Sequence, residues 1–136
     1  MEQPPLPQLY PASVSFDDGI LRAVDVGDVY FSAEDGLAES RYVFIDGSGA
    51  LDALAHASHL VIAETGFGTG LNLLALCEAI TKSGSSCQID FISFEAAPLQ
   101  AKDARLAHNA FPELTHLSNE LIANWPRRWH GAHRLS

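Results

Sequence analysis

Residues 60–72 read Leu-Val-Ile-Ala-Glu-Thr-Gly-Phe-Gly-Thr-Gly-Leu-Asn, and this stretch decides the fold. Its first four residues are apolar and partly β-branched, which predicts a strand buried on both faces of a parallel sheet. Three glycines follow at alternate positions, and apolar residues then recur with helical spacing. Open α/β sheets use this order of strand, glycine loop and helix to build a nucleotide site.

The glycine loop and the helix N-terminus behind it suit a ligand that carries a phosphate or a carboxylate. A nucleoside-triphosphate loop needs a lysine after its last glycine, and none follows here. A dinucleotide loop needs a small third residue, and Leu71 occupies that position. Glu64 stands two residues before Gly66, a spacing that resembles motif I of the class I methyltransferases, which bind S-adenosylmethionine. A glycine-rich turn without a ligand is the alternative interpretation.

A second strand is predicted over Cys87 to Phe94, again buried, with Glu95 directly after it. Glu95 lies 25 residues beyond Gly70, close to the separation of an acid that binds a ribose. A carboxylate at this position can accept hydrogen bonds from both ribose hydroxyls. The alternative is a solvated surface acid.

Composition indicates a single globular domain, since the chain has 136 residues of which 47% are hydrophobic. No apolar run approaches the length that spans a bilayer, so we expect no membrane segment. Cys77 and Cys87 show no metal-ligand spacing and fit a reduced, cytoplasmic setting. The formal net charge is −9, and residues 1–60 carry −8 of it, which weighs against a broad nucleic-acid-binding face.

Upstream of the central stretch, residues 1–59 are expected to form an extension, and residues 60–136 the first part of a Rossmann-like domain. Asp17-Asp18-Gly19 predicts a tight turn between two short strands. Residues 28–32 suggest another extended segment. Helices are predicted over Leu37 to Phe44 and Ala50 to His59.

Several segments together resemble a known family, the methyltransferase domain of the bacterial tRNA 5-methylaminomethyl-2-thiouridine biosynthesis protein. The resemblance runs from about Phe16 to the last residue. Its motifs are Asp28-Val-Tyr-Phe-Ser32, Gly36-Leu-Ala-Glu-Ser-Arg-Tyr-Val-Phe44, Glu64-Thr-Gly-Phe-Gly-Thr-Gly-Leu-Asn72, Phe91-Ile-Ser-Phe-Glu95 with Pro98-Leu99, Ala107-His108 with Phe111-Pro-Glu-Leu114, and Asn124-Trp-Pro126 with His133-Arg-Leu135.

This resemblance implies an S-adenosylmethionine-dependent enzyme that methylates the aminomethyl group of a tRNA wobble uridine. It also implies possible fusion or association with an FAD-dependent oxidase, although the chain has no second dinucleotide loop. Cofactor binding is expected at Glu64, Gly66, Phe67, Gly68, Gly70, Asn72 and Glu95. Tyr30, Ser32 and Arg41 are possible site-lining residues, and no catalytic base is assigned.

The chain is expected to be the first half of a doubly wound α/β domain, truncated near His133 and inactive on its own. A nicotinamide- or flavin-dependent oxidoreductase and a non-catalytic fragment are the alternatives. The histidine pairs at 56 and 59 and at 130 and 133 lack completing ligands, so no metal is expected. Trp125 and Trp129 are interpreted as packing residues rather than base-stacking ones.

Overall fold

The fold is taken from a computed structural model that describes residues 9–31, 35–126 and 131–134. Its strands are β1 (Val14–Asp17), β2 (Ile20–Ala23), β3 (His59–Thr65) and β4 (Gln88–Phe94). Its α-helices are α1 (Gly36–Glu39), α2 (Ala50–His56), α3 (Leu71–Ser83), α4 (Ala101–His108) and α5 (Thr115–Ala123). A π-helix (Ser40–Asp46) continues α1, and a 3₁₀-helix (Pro112–Leu114) precedes α5.

The N-terminal hairpin is confirmed. β1 and β2 pair antiparallel, and Asp18 and Gly19 form the turn with φ of 51° and 79°. Asp and Gly tolerate this left-handed backbone better than other residues, which explains the tight connection. Beyond β2, Val29 makes an isolated antiparallel bridge to Arg22, so the predicted extended segment is present only as a short addition to the hairpin.

The parallel sheet and the α/β class are also confirmed. β3 and β4 pair in parallel from His59 opposite Gln88 to Thr65 opposite Phe94, and α3 connects them. This unit of strand, helix and strand is part of a Rossmann-like fold, with the hairpin and short helices before it. The carboxyl ends of both strands therefore meet at one edge of the sheet.

The prediction that these strands are buried on both faces is wrong, because burial alternates along each of them. On one face, Ile62 and Phe91 pack against the main core. On the other face, Val61 is 55% exposed and Phe94 is 66% exposed. The described helices cover only the first face, so the apolar run of the sequence overstates the burial of the sheet.

The helices after the hairpin differ from their predictions in form and length. The predicted helix over 37–44 is present, but its second part, from Ser40, winds as a π-helix. Asp35 caps its start by accepting a hydrogen bond from Ala38 N at 3.1 Å. The helix predicted to reach His59 ends at His56, because Ala57 takes an extended conformation that leads into β3.

One core joins the N-terminal helices to the parallel unit. Its most buried residues come from α1, the π-helix, α2, α3 and the region around α5, and they include Leu37, Ile45, Leu54, Leu71, Leu74, Leu76, Phe111, Leu114 and Leu121. Each buried leucine stabilises the fold by roughly 1.5–3 kcal/mol relative to exposure. A smaller cluster of Leu21, Leu99 and Ala107 joins the hairpin to α4. Phe67 of the glycine loop packs against the larger core, and Trp125 packs against both clusters.

Candidate functional site

The candidate site lies where β3 and β4 end. Glu64 is the penultimate residue of β3, and Glu95 directly follows β4. The ladder between the strands extends one step further, since Gly66 N donates to Phe94 O at 2.7 Å. The parallel pairing therefore brings both predicted acids to the edge of the sheet from which the glycine loop leaves.

Positive φ angles explain why glycines occupy the loop. Gly66, Gly68 and Gly70 have φ of 81°, 53° and 75°. A Cβ on Gly70 would lie 2.9 Å from Leu121 Cδ2 and 3.0 Å from Phe67 Cζ, closer than real Cβ contacts allow. Position 70 therefore requires glycine for two reasons: its φ angle is positive, and no room is left for a Cβ atom.

Helix α3 begins immediately after the loop with Gly70 as its N-cap, and no side chain caps it. Leu74 N donates to Gly70 O at 3.0 Å, the first hydrogen bond of the helical pattern. The amides of residues 71–73, in the first turn of the helix, have no carbonyl within the helix to bind. They and the helix dipole favour a carboxylate or another anion at this end.

A chain of polar side chains fixes Glu64. Its Oε2 accepts from Asn72 Nδ2 at 3.0 Å, and its Oε1 accepts from Ser93 Oγ at 2.9 Å. Ser40 on the π-helix in turn donates to Asn72 Oδ1. Burial raises the pKa of Glu64; the two donors act against that rise, and the neighbouring Glu95 adds to it. Glu64 is thus a rigidly oriented, partly desolvated carboxylate.

Glu95 also lies against the loop. Its Oε2 accepts from Gly68 N at 2.9 Å, and its Oε1 accepts from Ala97 N at 2.8 Å. An ionised carboxylate has about four acceptor positions, so roughly two remain for a ligand. The side chain predicted to bind a ribose is therefore held at the loop by backbone donors with acceptor capacity to spare.

Aromatic rings border the loop. The Phe67 and Trp125 rings lie 5.4 Å apart between centroids, and Trp125 Nε1 donates to Leu99 O at 3.0 Å. Trp125 is thus engaged in packing, as predicted, whereas Trp129 lies outside the described residues. Tyr30 packs next to Gly68, where an added Cβ would meet its ring at 3.4 Å.

The Tyr30 phenol is electrostatically coupled to acids around the loop. Burial raises its pKa, and the negative charges of Glu95 and Asp103 add to the effect. Tyr30 is therefore expected to stay neutral at physiological pH and to keep its hydroxyl proton for hydrogen bonding. Of the possible lining residues that the structure describes, Tyr30 is the one that contacts the glycine loop.

The other two possible lining residues are placed differently. Arg41 binds Glu78 in the middle of α3 through Nε at 2.8 Å and Nη2 at 2.7 Å. Lys82 also donates to Glu78, at 2.8 Å. Burial acts to raise the pKa of Glu78, but these two cations hold it below its usual range. Arg41 therefore pairs with the helix two turns beyond the loop, and Ser32 lies outside the described residues.

Three polar residues near the site were not anticipated from the sequence. Ser40 and Ser93 orient the Glu64 network, and His108 contacts the loop backbone at Thr69. His108 belongs to one of the family motifs, but no role is assigned to it from the sequence. A signal was present, because His108 follows Ala104 by four residues, which places it on the buried face of α4.

The described residues form neither a metal-ligand cluster nor a membrane-spanning helix. Over 9–31, 35–126 and 131–134, no three His, Cys, Asp or Glu side chains come together as metal ligands. His59 Nε2 instead lies 2.9 Å from Asp90 Oδ2. Among the same residues, no helix has the length and apolar character needed to cross a bilayer.

Comparison with known proteins confirms the resemblance inferred from the sequence. The chain is 44% identical to the tRNA 5-methylaminomethyl-2-thiouridine biosynthesis bifunctional protein MnmC of Marinobacter nauticus, over 95% of this chain and 22% of that protein. It is 46% identical to the protein of the same name from Aeromonas salmonicida, over 82% of this chain and 18% of that protein. The chain thus spans about a fifth of the length of these relatives.

A solved structure supports the fold. The crystal structure of MNMC2 from Aquifex aeolicus matches with a TM-score of 0.54 and 25% identity, over 65% of this chain and 31% of that chain. The sequence matches no protein-family model.

Proposed function

We propose that this chain forms the S-adenosylmethionine-binding part of a tRNA-modifying methyltransferase, related to the bifunctional proteins that it resembles. The observation that carries the proposal is the pair of acids, Glu64 and Glu95, that lie with a glycine loop at the adjacent ends of two parallel strands. The proposed substrate is the aminomethyl group of a tRNA wobble uridine, in keeping with the names of the relatives.

The residues at the loop match the polar groups of this cofactor. Glu95 has spare acceptor capacity for ribose hydroxyls, and the uncapped start of α3 offers amides to a carboxylate. Asn72 and Ser93 orient the carboxyl oxygens of Glu64 beside the loop, where they can accept hydrogen bonds from the ammonium group. Gly66, Gly68, Gly70, Phe67 and Asn72 shape or support this surface.

The same two acids disfavour a dinucleotide, the ligand of the alternative oxidoreductase. A pyrophosphate at the start of α3 would bring two negative charges near Glu64 and Glu95, whereas the carboxylate of S-adenosylmethionine brings one and is accompanied by the positive ammonium and sulfonium groups. Leu71 is 7% exposed and belongs to the core, in the position where a dinucleotide loop has a small residue. The chain therefore favours a cationic nucleoside over a diphosphate.

When bound, S-adenosylmethionine supplies a methyl group that is already activated by its sulfonium. The work of the protein is then to align that methyl with an amine, which must be neutral to attack. A carboxylate near the amine accepts its proton in such a scheme. We assign no catalytic base to this chain, and we place Tyr30 as a lining residue because its ring packs against Gly68.

The proposed partners follow from the proposed reaction. A tRNA substrate implies a cytoplasmic enzyme, and the bifunctional names of the relatives are compatible with association with an FAD-dependent oxidase. Residues 1–60 carry a net charge of −8, so phosphate contacts are expected outside this segment. Lys102 and Arg105 are exposed on α4 and have the required sign.

Isothermal titration calorimetry of the purified protein with S-adenosylmethionine and with NAD tests the cofactor assignment. We expect a response to S-adenosylmethionine only. Glu95→Gln should weaken binding by about 1–3 kcal/mol, the range for charge-assisted hydrogen bonds. Glu113→Gln alters an exposed carboxylate on the 3₁₀-helix and serves as the matched control. Binding of NAD without binding of S-adenosylmethionine would overturn the proposal.

A further inference from the structure

His108 connects three elements behind the glycine loop. Its Nε2 lies 2.7 Å from the carbonyl oxygen of Thr69 in the loop, and its Nδ1 lies 2.7 Å from Ser118 Oγ on α5. His108, Ser118 and Thr69 are each at most 5% exposed. Both ring nitrogens are therefore engaged, in a place that water does not reach freely.

The partners determine where the ring proton lies. A carbonyl oxygen only accepts, so Nε2 must carry the hydrogen that it donates to Thr69 O. In the neutral ring, Nδ1 then accepts the hydroxyl hydrogen of Ser118. Burial lowers the pKa of His108, which favours this neutral form, and the positive charge of Arg105 acts in the same direction, whereas the bond to Thr69 acts against it.

Thr69 sits between the two glycines whose positive φ angles define the turn. Gly68 and Gly70 have φ of 53° and 75°, and their amides are bound to Glu95 Oε2 and Phe67 O. These two hydrogen bonds fix the amide groups of Gly68 and Gly70. The His108 bond fixes a carbonyl between them, from the side of the loop that faces the core.

We infer that His108 is a positioning residue: its Nε2–H holds the Thr69 carbonyl and thereby sets the conformation of the glycine loop that receives the cofactor. This inference rests on the proposed function for the identity of the ligand. The competing interpretation is a core histidine whose hydrogen bonds are merely satisfied. The two differ in whether one specific bond, to Thr69, controls the loop.

Two substitutions separate the ring's two bonds. In His108→Gln, the amide nitrogen occupies the place of Nε2 and can still donate to Thr69 O, while the contact with Ser118 is lost. In His108→Asn, the shorter side chain can still reach Ser118, while Thr69 O is left without its donor. Both variants remove the ring from the core, and Asn is one methylene shorter than Gln, so the two differ by that methylene as well as by the bond that each keeps.

Amide hydrogen exchange and calorimetry with S-adenosylmethionine give two readouts, and thermal unfolding confirms that each variant is folded. For His108→Asn we expect exchange at Gly68 and Gly70 to accelerate about tenfold and cofactor affinity to fall about tenfold, as one net hydrogen bond predicts. His108→Gln should stay within about twofold of the wild type in both. Equal effects of the two variants, or an unchanged loop in His108→Asn, would overturn the inference.

The exchange measurement needs no ligand, so it separates this inference from the cofactor assignment. If the wild type ignores S-adenosylmethionine while the exchange contrast persists, the role of His108 in the loop is supported and the cofactor assignment is overturned. If His108→Asn does not fold, the imidazole of the wild type decides by NMR, because the bond to Thr69 O requires the hydrogen on Nε2. An Nε2–H tautomer whose ring hydrogen exchanges slowly supports the inference, and an Nδ1–H tautomer contradicts it.

Discussion

Two glycines with nearly the same backbone dihedral angles flank helix α3. Substituting each by alanine tests whether close packing around the loop excludes a side chain at Gly70. Gly70 before the helix has φ 75° and ψ 16°, and Gly84 after it has φ 63° and ψ 22°. The left-handed conformation costs an alanine about 1–2 kcal/mol at either position. The two sites differ in their surroundings, so the difference in their free energies of unfolding isolates contact from backbone strain.

The atoms around each glycine determine how much the two losses of stability differ. A Cβ on Gly84 meets nothing within 4 Å, whereas one on Gly70 would lie 2.9 Å from Leu121 Cδ2 and 3.0 Å from Phe67 Cζ. Overpacking of a core typically costs about 1–3 kcal/mol. Gly70→Ala is thus expected to lose about 2–5 kcal/mol of stability, against about 1–2 for Gly84→Ala.

Urea denaturation monitored by tryptophan fluorescence measures both losses, since Trp125 contacts Phe67 beside the loop. Calorimetry adds a second comparison, because Gly70→Ala should weaken binding of S-adenosylmethionine and Gly84→Ala should leave it unchanged. Equal losses of unfolding free energy in the two variants would refute the claim that a Cβ at position 70 clashes with Leu121 and Phe67. An equal loss of affinity would show that strain anywhere along α3 is transmitted to the site.

Three further predictions concern the network, the ion pair and the core. Ser93→Ala should raise the pKa of Glu64 further, because Oε1 loses a donor, and NMR titration of the carboxyl carbon measures this. Arg41→Gln should cost about 1–3 kcal/mol at neutral pH, because it removes two bonds to a carboxylate that is 13% exposed, and should leave cofactor affinity unchanged. Because the pKa of Glu78 is lowered in the folded state, this cost should vanish as the pH falls through that pKa, as urea unfolding at several pH values would reveal. Leu74→Ala, at a 2% exposed core position, should destabilise the fold by about 2–5 kcal/mol in the same assay.

Local signals in the sequence predicted the parts of the fold that depend on neighbours in the chain. The hairpin follows from Asp-Gly, and the order of strand, loop and helix follows from the apolar run and the glycines. The parallel pairing brought Glu64 and Glu95 together as their positions at strand ends implied. The hairpin and the order of strand, loop and helix have short-range causes, namely turn geometry and periodicity, whereas the parallel pairing follows from the crossover helix that joins the two strands.

Other features arise from contacts between distant residues. His108 and Thr69 are 39 positions apart, and Ser40 and Asn72 are 32 positions apart. No local pattern encodes such pairs. The one-sided burial of β3 has the same origin, since an apolar strand does not reveal how many layers of helix cover it. The π-helical winding after Ser40 was likewise hidden in an ordinary helix-forming sequence.

The hydrogen-bonded chain through Ser40, Asn72, Glu64 and Ser93 limits how this protein can recombine with its relatives. A chimera joined near residue 58 would inherit Ser40 from one parent and the other three side chains from the second. A mismatch at either end would leave a partly buried donor or acceptor without its partner, next to the Glu64 carboxyl group at the end of β3. The N-terminal segment is therefore a co-inherited component of the site, and productive crossovers should exchange both sides of this chain together.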